Sequence, residues 1–275
     1  MQPLTFFLPL LYALFIWWFT TGLIMVVYGR SRPIVHTGFG LITACMVAAL
    51  VGVWLTRSQS GLWAVYAALT CGVFLWGWQV ASYYLGYITG PDIDTPTSPM
   101  TFTTRFCLAL KASWHHEAVV VAFALLLTAL TWNQPNRWSL WIFLAVWFMH
   151  SSGKLSVFFG VRNFYIDWLP AHLHHLKPFI AKRPSNAWTF SSIVFASSLG
   201  LSLYFRGLAQ GVESAPAVGL IFVGTMILLG VLEHGLLILP IPATLWGWGI
   251  QKLPEDEAHS ISTAPTTFSE QVAEQ

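Results

Sequence analysis

The chain has 275 residues, of which 56% are hydrophobic and only 9% charged, and its formal net charge is +2. A soluble globular domain carries about 25% charged residues. The composition therefore excludes a water-soluble surface and indicates an integral membrane protein. Three widely spaced cysteines lie in or beside apolar runs, a pattern that fits neither a disulfide framework nor a metal motif and predicts buried free thiols. They are Cys45, Cys71 and Cys107.

Seven apolar runs are long enough to cross a bilayer, which takes about 20 helical residues. The runs are continuous rather than alternating, and an open sheet cannot satisfy its backbone in lipid. The sequence therefore predicts an all-α, polytopic membrane helix bundle over residues 1–254, followed by an acidic, disordered tail over residues 255–275. The predicted transmembrane segments are residues 4–28, 35–56, 61–88, 114–132, 138–159, 188–206 and 217–239.

The orientation of the bundle follows from the loop cations, which are enriched on the cytoplasmic side of membrane proteins. The second, fourth and sixth loops hold only Arg57, Arg137 and Arg206. The first, third and fifth loops hold Arg30, Arg32, Arg105, Lys111, Arg162, Lys177, Lys182 and Arg183. The odd loops are therefore predicted to be cytoplasmic, with a periplasmic N-terminus and a cytoplasmic C-terminus.

This topology brings most of the ionisable residues to the cytoplasmic ends of the fourth, fifth and seventh segments. An ionisable group inside a bilayer costs at least about 2.5–3.5 kcal/mol on insertion scales, so it persists where something pairs with it. His150 and Lys154 are four residues apart and share a helix face. The residues concerned are His115, His116, Glu117, His150, Lys154, Arg162, Asp167, His172, Glu233 and His234.

Two interpretations of this cluster remain open. In the first, Glu117 and Glu233 are structural ion-pair partners of Lys154 and Arg162. In the second, carboxylate and imidazole groups form a shared site that holds a metal ion or the magnesium of a chlorin. The ligands would come from His116, Glu117, His150, Glu233 and His234. A metal-dependent membrane oxidoreductase acting on a tetrapyrrole or lipid is an alternative function. Membrane di-iron enzymes carry several histidine boxes, whereas residues 172–175 form a single HxHH motif in this sequence. The histidine pattern therefore falls short of that class of enzyme. A transporter is disfavoured because the outer helix halves are nearly free of titratable residues.

Four motifs carry a resemblance to a known family. They are HHE at residues 115–117, KLSVFFGVRN at 154–163, WLPAHL at 168–173, and LEH followed by LPIP within 232–242. In order and spacing they resemble the photosynthetic complex assembly protein 2 family, PuhE, of purple phototrophic bacteria, which lies in the operon of the reaction-centre H subunit. The resemblance covers about half of the chain. The sequence departs from the family pattern at Ser156 and at His174–His175.

The resemblance implies a multi-pass protein of the bacterial inner membrane, either cytoplasmic or intracytoplasmic photosynthetic. Its implied role is the assembly of the reaction centre and the core light-harvesting complex, whose subunits would be its partners together with membrane lipid, rather than catalysis. Bacteriochlorophyll is the implied cofactor. On this hypothesis His116, His172 and His234 are candidate axial ligands. The polar docking cluster consists of Glu117, Lys154, Arg162, Asn163, Asp167 and Glu233.

Overall fold

The computed structural model describes residues 3–91, 93, 100–164, 169, 171–211 and 213–239. These residues form α-helices and one 3-10 helix, and they contain no β-strand beyond an isolated bridge between Val161 and Lys182. The predicted acidic tail, residues 255–275, lies outside the described residues. The helices are α1 Pro3–Val27, α2 Arg32–Thr56, α3 Leu62–Tyr84, α4 Phe102–Ala112, α5 Trp114–Leu130, α6 Trp138–Phe159, the 3-10 helix Ala171–Phe179, α7 Ala187–Ala209 and α8 Ala215–Ile238.

The all-α, multi-pass prediction is confirmed. Within the described residues, six helices are long and apolar enough to cross a membrane. The pair α4 and α5 makes a seventh if it counts as one span, although the two helices meet at an angle of 64°. Helix α6 has the predicted bounds, because its apolar run is framed by Arg137 before it and Gly160 after it.

The other predicted helices differ from their predicted bounds by one to four residues at one end or both, and a further short helix is present. Helix α3 ends at Tyr84 rather than at residue 88, since Gly86 adopts φ +83° and the amides of Tyr87 and Ile88 turn back to the carbonyl of Ser82. Helix α4 was not predicted at all. It is short and amphipathic, so a search for long apolar runs passes over it.

Helices α3 and α8 form the core of the bundle, and α1, α2 and α7 lie around it. About 67% of the apolar window of α8 and 56% of that of α3 are buried, against 11% for α2. The large apolar side chains that α2 leaves exposed are the surface that a lipid environment solvates. The cysteines are free, as predicted, but Cys45 and Cys107 are exposed rather than buried.

Helix α7 packs closely on α8 where glycines face each other. A Cβ added at Gly224 would lie 2.7 Å from the carbonyl oxygen of Gly200 and 2.9 Å from the amide of Tyr204. Only a residue without a side chain permits this approach. Small residues are the usual means by which membrane helices approach each other closely.

The two ends of the bundle hold different polar networks. We call the end where α3, α6 and α8 finish the polar end, because the clustered ionisable residues lie there. At the opposite end the buried Asn136 donates from Nδ2 to the carbonyls of Thr56 (3.1 Å) and Ala64 (3.0 Å). This amide joins the loop after α5 to the turn between α2 and α3.

Candidate functional site

An ion pair between α6 and α5 is the strongest electrostatic contact at the polar end. Lys154 Nζ lies 2.6 Å from Glu117 Oε1, and the two side chains are 30% and 27% exposed. The same ammonium lies 5.1 Å from the ring centre of Tyr83 on α3. The pair therefore ties three helices together, in agreement with the ion-pair interpretation of Glu117.

Glu233 on α8 does not form the ion pair considered for it. Arg162 is exposed, and no described Lys or Arg lies within 4.0 Å of the Glu233 carboxylate. The carboxylate instead lines two cavities and accepts a hydrogen bond from the indole of Trp17. Glu233 is thus a carboxyl inside a membrane span without a described cation, which is the situation that marks functional residues in membranes.

Hydrogen bonds from Asn186 and Asn163 hold the end of α6 and the segment after it against neighbouring elements. Gly160, with φ +115°, ends α6, and its carbonyl accepts a hydrogen bond from Asn186 Nδ2 at 2.6 Å. The amide of Asn163 donates to the carbonyl of Leu237, and its Nδ2 donates to that of Leu236 at 3.2 Å. Asn163 therefore anchors the segment after α6 to the end of α8. Asp167 lies outside the described residues.

His234 has both ring nitrogens engaged. Nδ1 donates to the carbonyl of Gly230 at 2.7 Å, so the neutral ring accepts at Nε2 from the hydroxyl of Ser152 at 3.0 Å. Ser152 in turn contacts the hydroxyl of Ser192 on α7. This chain joins α8, α6 and α7, and it leaves His234 no free lone pair for a metal.

His116 and His172 lie in different surroundings from each other. His116 is 1% exposed and packs on the ring of Tyr83, with centroids 4.7 Å apart and no partner for its Nδ1. His172, on the 3-10 helix, lies over Gly86 and bonds to the backbone of Tyr83. Burial of the His172 ring lowers its pKa, and the neighbouring His175 and His174 add to this. The three alternative axial ligands therefore lie in three different environments.

Two adjoining cavities occupy the polar end. The α1 cavity, of about 460 Å³, lies between α1, α3, α6 and α8. The α4 cavity, of about 570 Å³, is bounded by α4, α6, α8 and the 3-10 helix and reaches the Lys154–Glu117 pair. Both volumes fall in the range of about 300–1,000 Å³ that is typical of ligand sites. The residues that line both cavities are Tyr84, Met149, His150, Phe164, Leu169 and Glu233.

His150 lines both cavities, whereas His234 lines only the α4 cavity. The sequence analysis named His150 as a possible metal ligand but did not select it as an axial ligand. Its ring meets Trp76 edge-on at 5.3 Å and lies 6.3 Å from His116. No described residue forms a hydrogen bond with either ring nitrogen of His150. The sequence feature that could have identified His150 is its spacing of four residues from Lys154, which places both side chains on the same face of α6.

The fold and this site define a multi-pass helical membrane protein with two adjoining, mostly apolar cavities at its polar end. The chain belongs to the family described as "Protein of unknown function (DUF3623)", whose model matches residues 4–257. It is 24% identical over 257 residues to a Rhodobacter capsulatus protein described as "Uncharacterized 30.4 kDa protein in puhA 5'region". That similarity covers 91% of this chain and 92% of the relative. No solved structure matches the chain significantly.

Proposed function

We propose that the chain is a PuhE-type assembly factor for the bacterial photosynthetic reaction centre and core light-harvesting complex, and that it handles bacteriochlorophyll. The observation that carries the proposal is the relative in the puhA 5' region, which is similar along almost all of the chain. The motif at residues 154–163, by which the sequence resembles PuhE, supports the same assignment. The proposed location is the cytoplasmic or intracytoplasmic photosynthetic membrane.

The polar end is the proposed docking surface for nascent subunits. Several cations there are exposed on the loops and on α4, and the enrichment of loop cations on the cytoplasmic side of membrane proteins favours a cytoplasmic position for this end. Such a face suits acidic cytoplasmic segments of partner subunits and anionic lipid headgroups. The exposed cations are Arg30, Arg32, Lys111, Arg162, Lys182 and Arg183. Beneath them, the Lys154–Glu117 pair and Asn163 keep the helix ends in place.

Deletion of the gene in a phototrophic host tests the proposal. We expect the near-infrared absorption of the reaction centre and core antenna in isolated membranes to fall several-fold, and to return when the intact gene is supplied in trans. Normal amounts of both complexes in the deletion strain would refute the assembly role.

A charge reversal at the polar end tests the docking surface separately. Arg162→Glu should lower complex assembly several-fold while the variant accumulates normally in the membrane. Arg206→Glu is the matched control, because Arg206 is also exposed but lies near the end of α7 at the opposite end of the bundle. Equal assembly in both variants would remove Arg162 from the docking surface.

The metal-dependent oxidoreductase has no comparable support from the geometry. Among the described residues, no three His, Cys, Asp or Glu side chains are arranged as ligands for a metal ion. The pigment-handling proposal does not need such a cluster, as a metal held in a macrocycle needs only one ligand from the protein.

A further inference from the structure

We propose that the α1 and α4 cavities form one chamber for a metallated tetrapyrrole, with His150 as the axial ligand to the metal and Glu233 as the polar contact to the macrocycle. The inference rests on the proposed function and names the ligand class and the residues of that site. It differs from the sequence-based assignment, which placed the axial ligand at His116, His172 or His234.

The two cavities adjoin each other. They share residues from α3, α6 and α8, and His150 and Glu233 stand at their junction. Aromatic side chains from three directions line this space, among them Trp17, Trp76 and Phe164. A flat apolar ligand would find stacking surfaces and few competing polar groups.

Among the described histidines, His150 alone combines a ring without a hydrogen bond with a place in the lining of both cavities, since the buried His116, whose Nδ1 is also unpartnered, lines neither. His150 lies nine residues before the end of α6, about 13 Å along the helix axis. Water is scarce at that depth, and an imidazole that forms no hydrogen bond there loses its hydration without compensation. His234 is already satisfied by Gly230 and Ser152, and His172 lies outside the chamber.

Glu233 supplies the second polar contact. No described cation neutralises its carboxyl, and lipid cannot solvate it. A protonated carboxyl is a hydrogen-bond donor, and carbonyl substituents at the edge of a macrocycle are acceptors. Glu233 and His150 reach the junction from different helices, so a ligand between them would contact both.

The donor set favours a metal inside a macrocycle over a bare ion. A free divalent ion needs about four to six protein or water ligands, and no described group of three His, Cys, Asp or Glu side chains could supply them. A tetrapyrrole brings four nitrogen ligands of its own, so one imidazole completes an axial position.

The test is a titration of the full chain, purified in lipid nanodiscs, with bacteriochlorophyll a. We expect saturable binding near one pigment per chain, with a resonance Raman spectrum of five-coordinate magnesium. His150→Leu should weaken binding at least tenfold. The matched control is His115→Leu, because His115 is an exposed histidine at the same end of the bundle that lines neither cavity.

A second variant separates loss of the ligand from loss of the fold. His150→Gly leaves space at the ligand position, and added imidazole should restore the five-coordinate spectrum. Equal binding by His150→Leu and the intact chain would overturn the assignment of the ligand. Binding of a quinone without binding of bacteriochlorophyll or hemin would overturn the ligand class, and binding of hemin alone would overturn the assignment to bacteriochlorophyll.

This titration and the gene deletion fail independently. If the deletion strain lacks the photosynthetic complexes but the purified chain binds no pigment, the chamber proposal falls and the assembly role stands. If the chain binds pigment through His150 but the deletion strain assembles normally, the assembly role falls and the site stands.

Discussion

The Lys154–Glu117 pair joins α6 to α5 within a largely apolar bundle, so each charge depends on the other. Lys154→Met should destabilise the protein by about 1–3 kcal/mol, because it leaves the Glu117 carboxylate without its cation. Thermal unfolding in a mild detergent measures the effect.

The double variant Lys154→Met/Glu117→Gln provides the control for that experiment. It removes both charges, so we expect it to recover part of the lost stability, because the stability effects of substitutions at two contacting residues are not additive. Additive losses in the double variant would show that the two residues act separately.

His172 should make the docking of the 3-10 helix sensitive to pH. Burial and the neighbouring His175 and His174 hold its folded pKa below the usual value of about 6.5. Protonation therefore disfavours the docked form. The contribution of His172 is fully present above about pH 6.5 and is lost as the pH falls toward the lowered pKa.

Hydrogen exchange of residues 171–179 at pH 7.5 and pH 5 measures this effect. We expect faster opening of the 3-10 helix at pH 5, after correction for the intrinsic exchange rate, and a smaller difference in His172→Asn. The same pH response in His172→Asn would assign the effect to another group.

At the scale of single residues, the sequence predicted that the ionisable side chains lie at one end of the bundle. It did not show which of the histidines there has a free ring nitrogen. His234 and His150 are both histidines near the ends of apolar helices. Whether a ring nitrogen is free depends on Ser152 and Gly230, which become its neighbours only through helix register and packing. The Lys154–Glu117 pair was predictable because few other partners were available within the membrane.

At the scale of the helices, the contact between α7 and α8 depends on Gly224. Gly224→Ala should destabilise the bundle by about 1–3 kcal/mol, because the new Cβ would press on backbone atoms of Gly200 and Tyr204. Gly40→Ala on α2 is the control, since nothing lies within 4 Å of its added Cβ. The thermal unfolding midpoint should fall only in the first variant, and equal midpoints would contradict the close approach.

Helix α4 is held in place chiefly by Arg105. The guanidinium donates to the carbonyls of Phe158 (2.6 Å) and Phe179 (2.9 Å) and lies 4.3 Å from the ring centre of Phe158. Arg105→Gln should therefore speed hydrogen exchange across Phe102–Ala112, whereas Lys111→Gln, at an exposed position of the same helix, should not. Unchanged exchange in Arg105→Gln would show that apolar contacts alone hold α4.

The long helices were predictable because about 20 consecutive apolar residues have few stable alternatives in a bilayer. Helix α4 was not, because eleven amphipathic residues that follow a proline-rich stretch do not reach that length. Its start is set by a local contact, in which the hydroxyl of Thr101 accepts from the amide of Thr104. The cavity that α4 helps to bound could not be predicted from the sequence either, since a cavity depends on how the helices pack.

At the scale of the whole molecule, the family match spans residues 4–257, and the functional proposal depends on the relative's place in the puhA 5' region. The structure adds cavities of suitable size, the imidazole of His150 without a hydrogen bond, and the carboxyl of Glu233 without a described cation. All of them lie at the polar end, which carries the exposed cations. Together these features favour a protein that receives an apolar cofactor while its polar end contacts the protein that will accept it.

The most direct test of this account is an absorption spectrum, with metal analysis, of the full chain purified gently from phototrophically grown cells. The account predicts a bacteriochlorophyll band with magnesium at a near-integer ratio to the chain. Stoichiometric iron without pigment would contradict it and favour the membrane oxidoreductase.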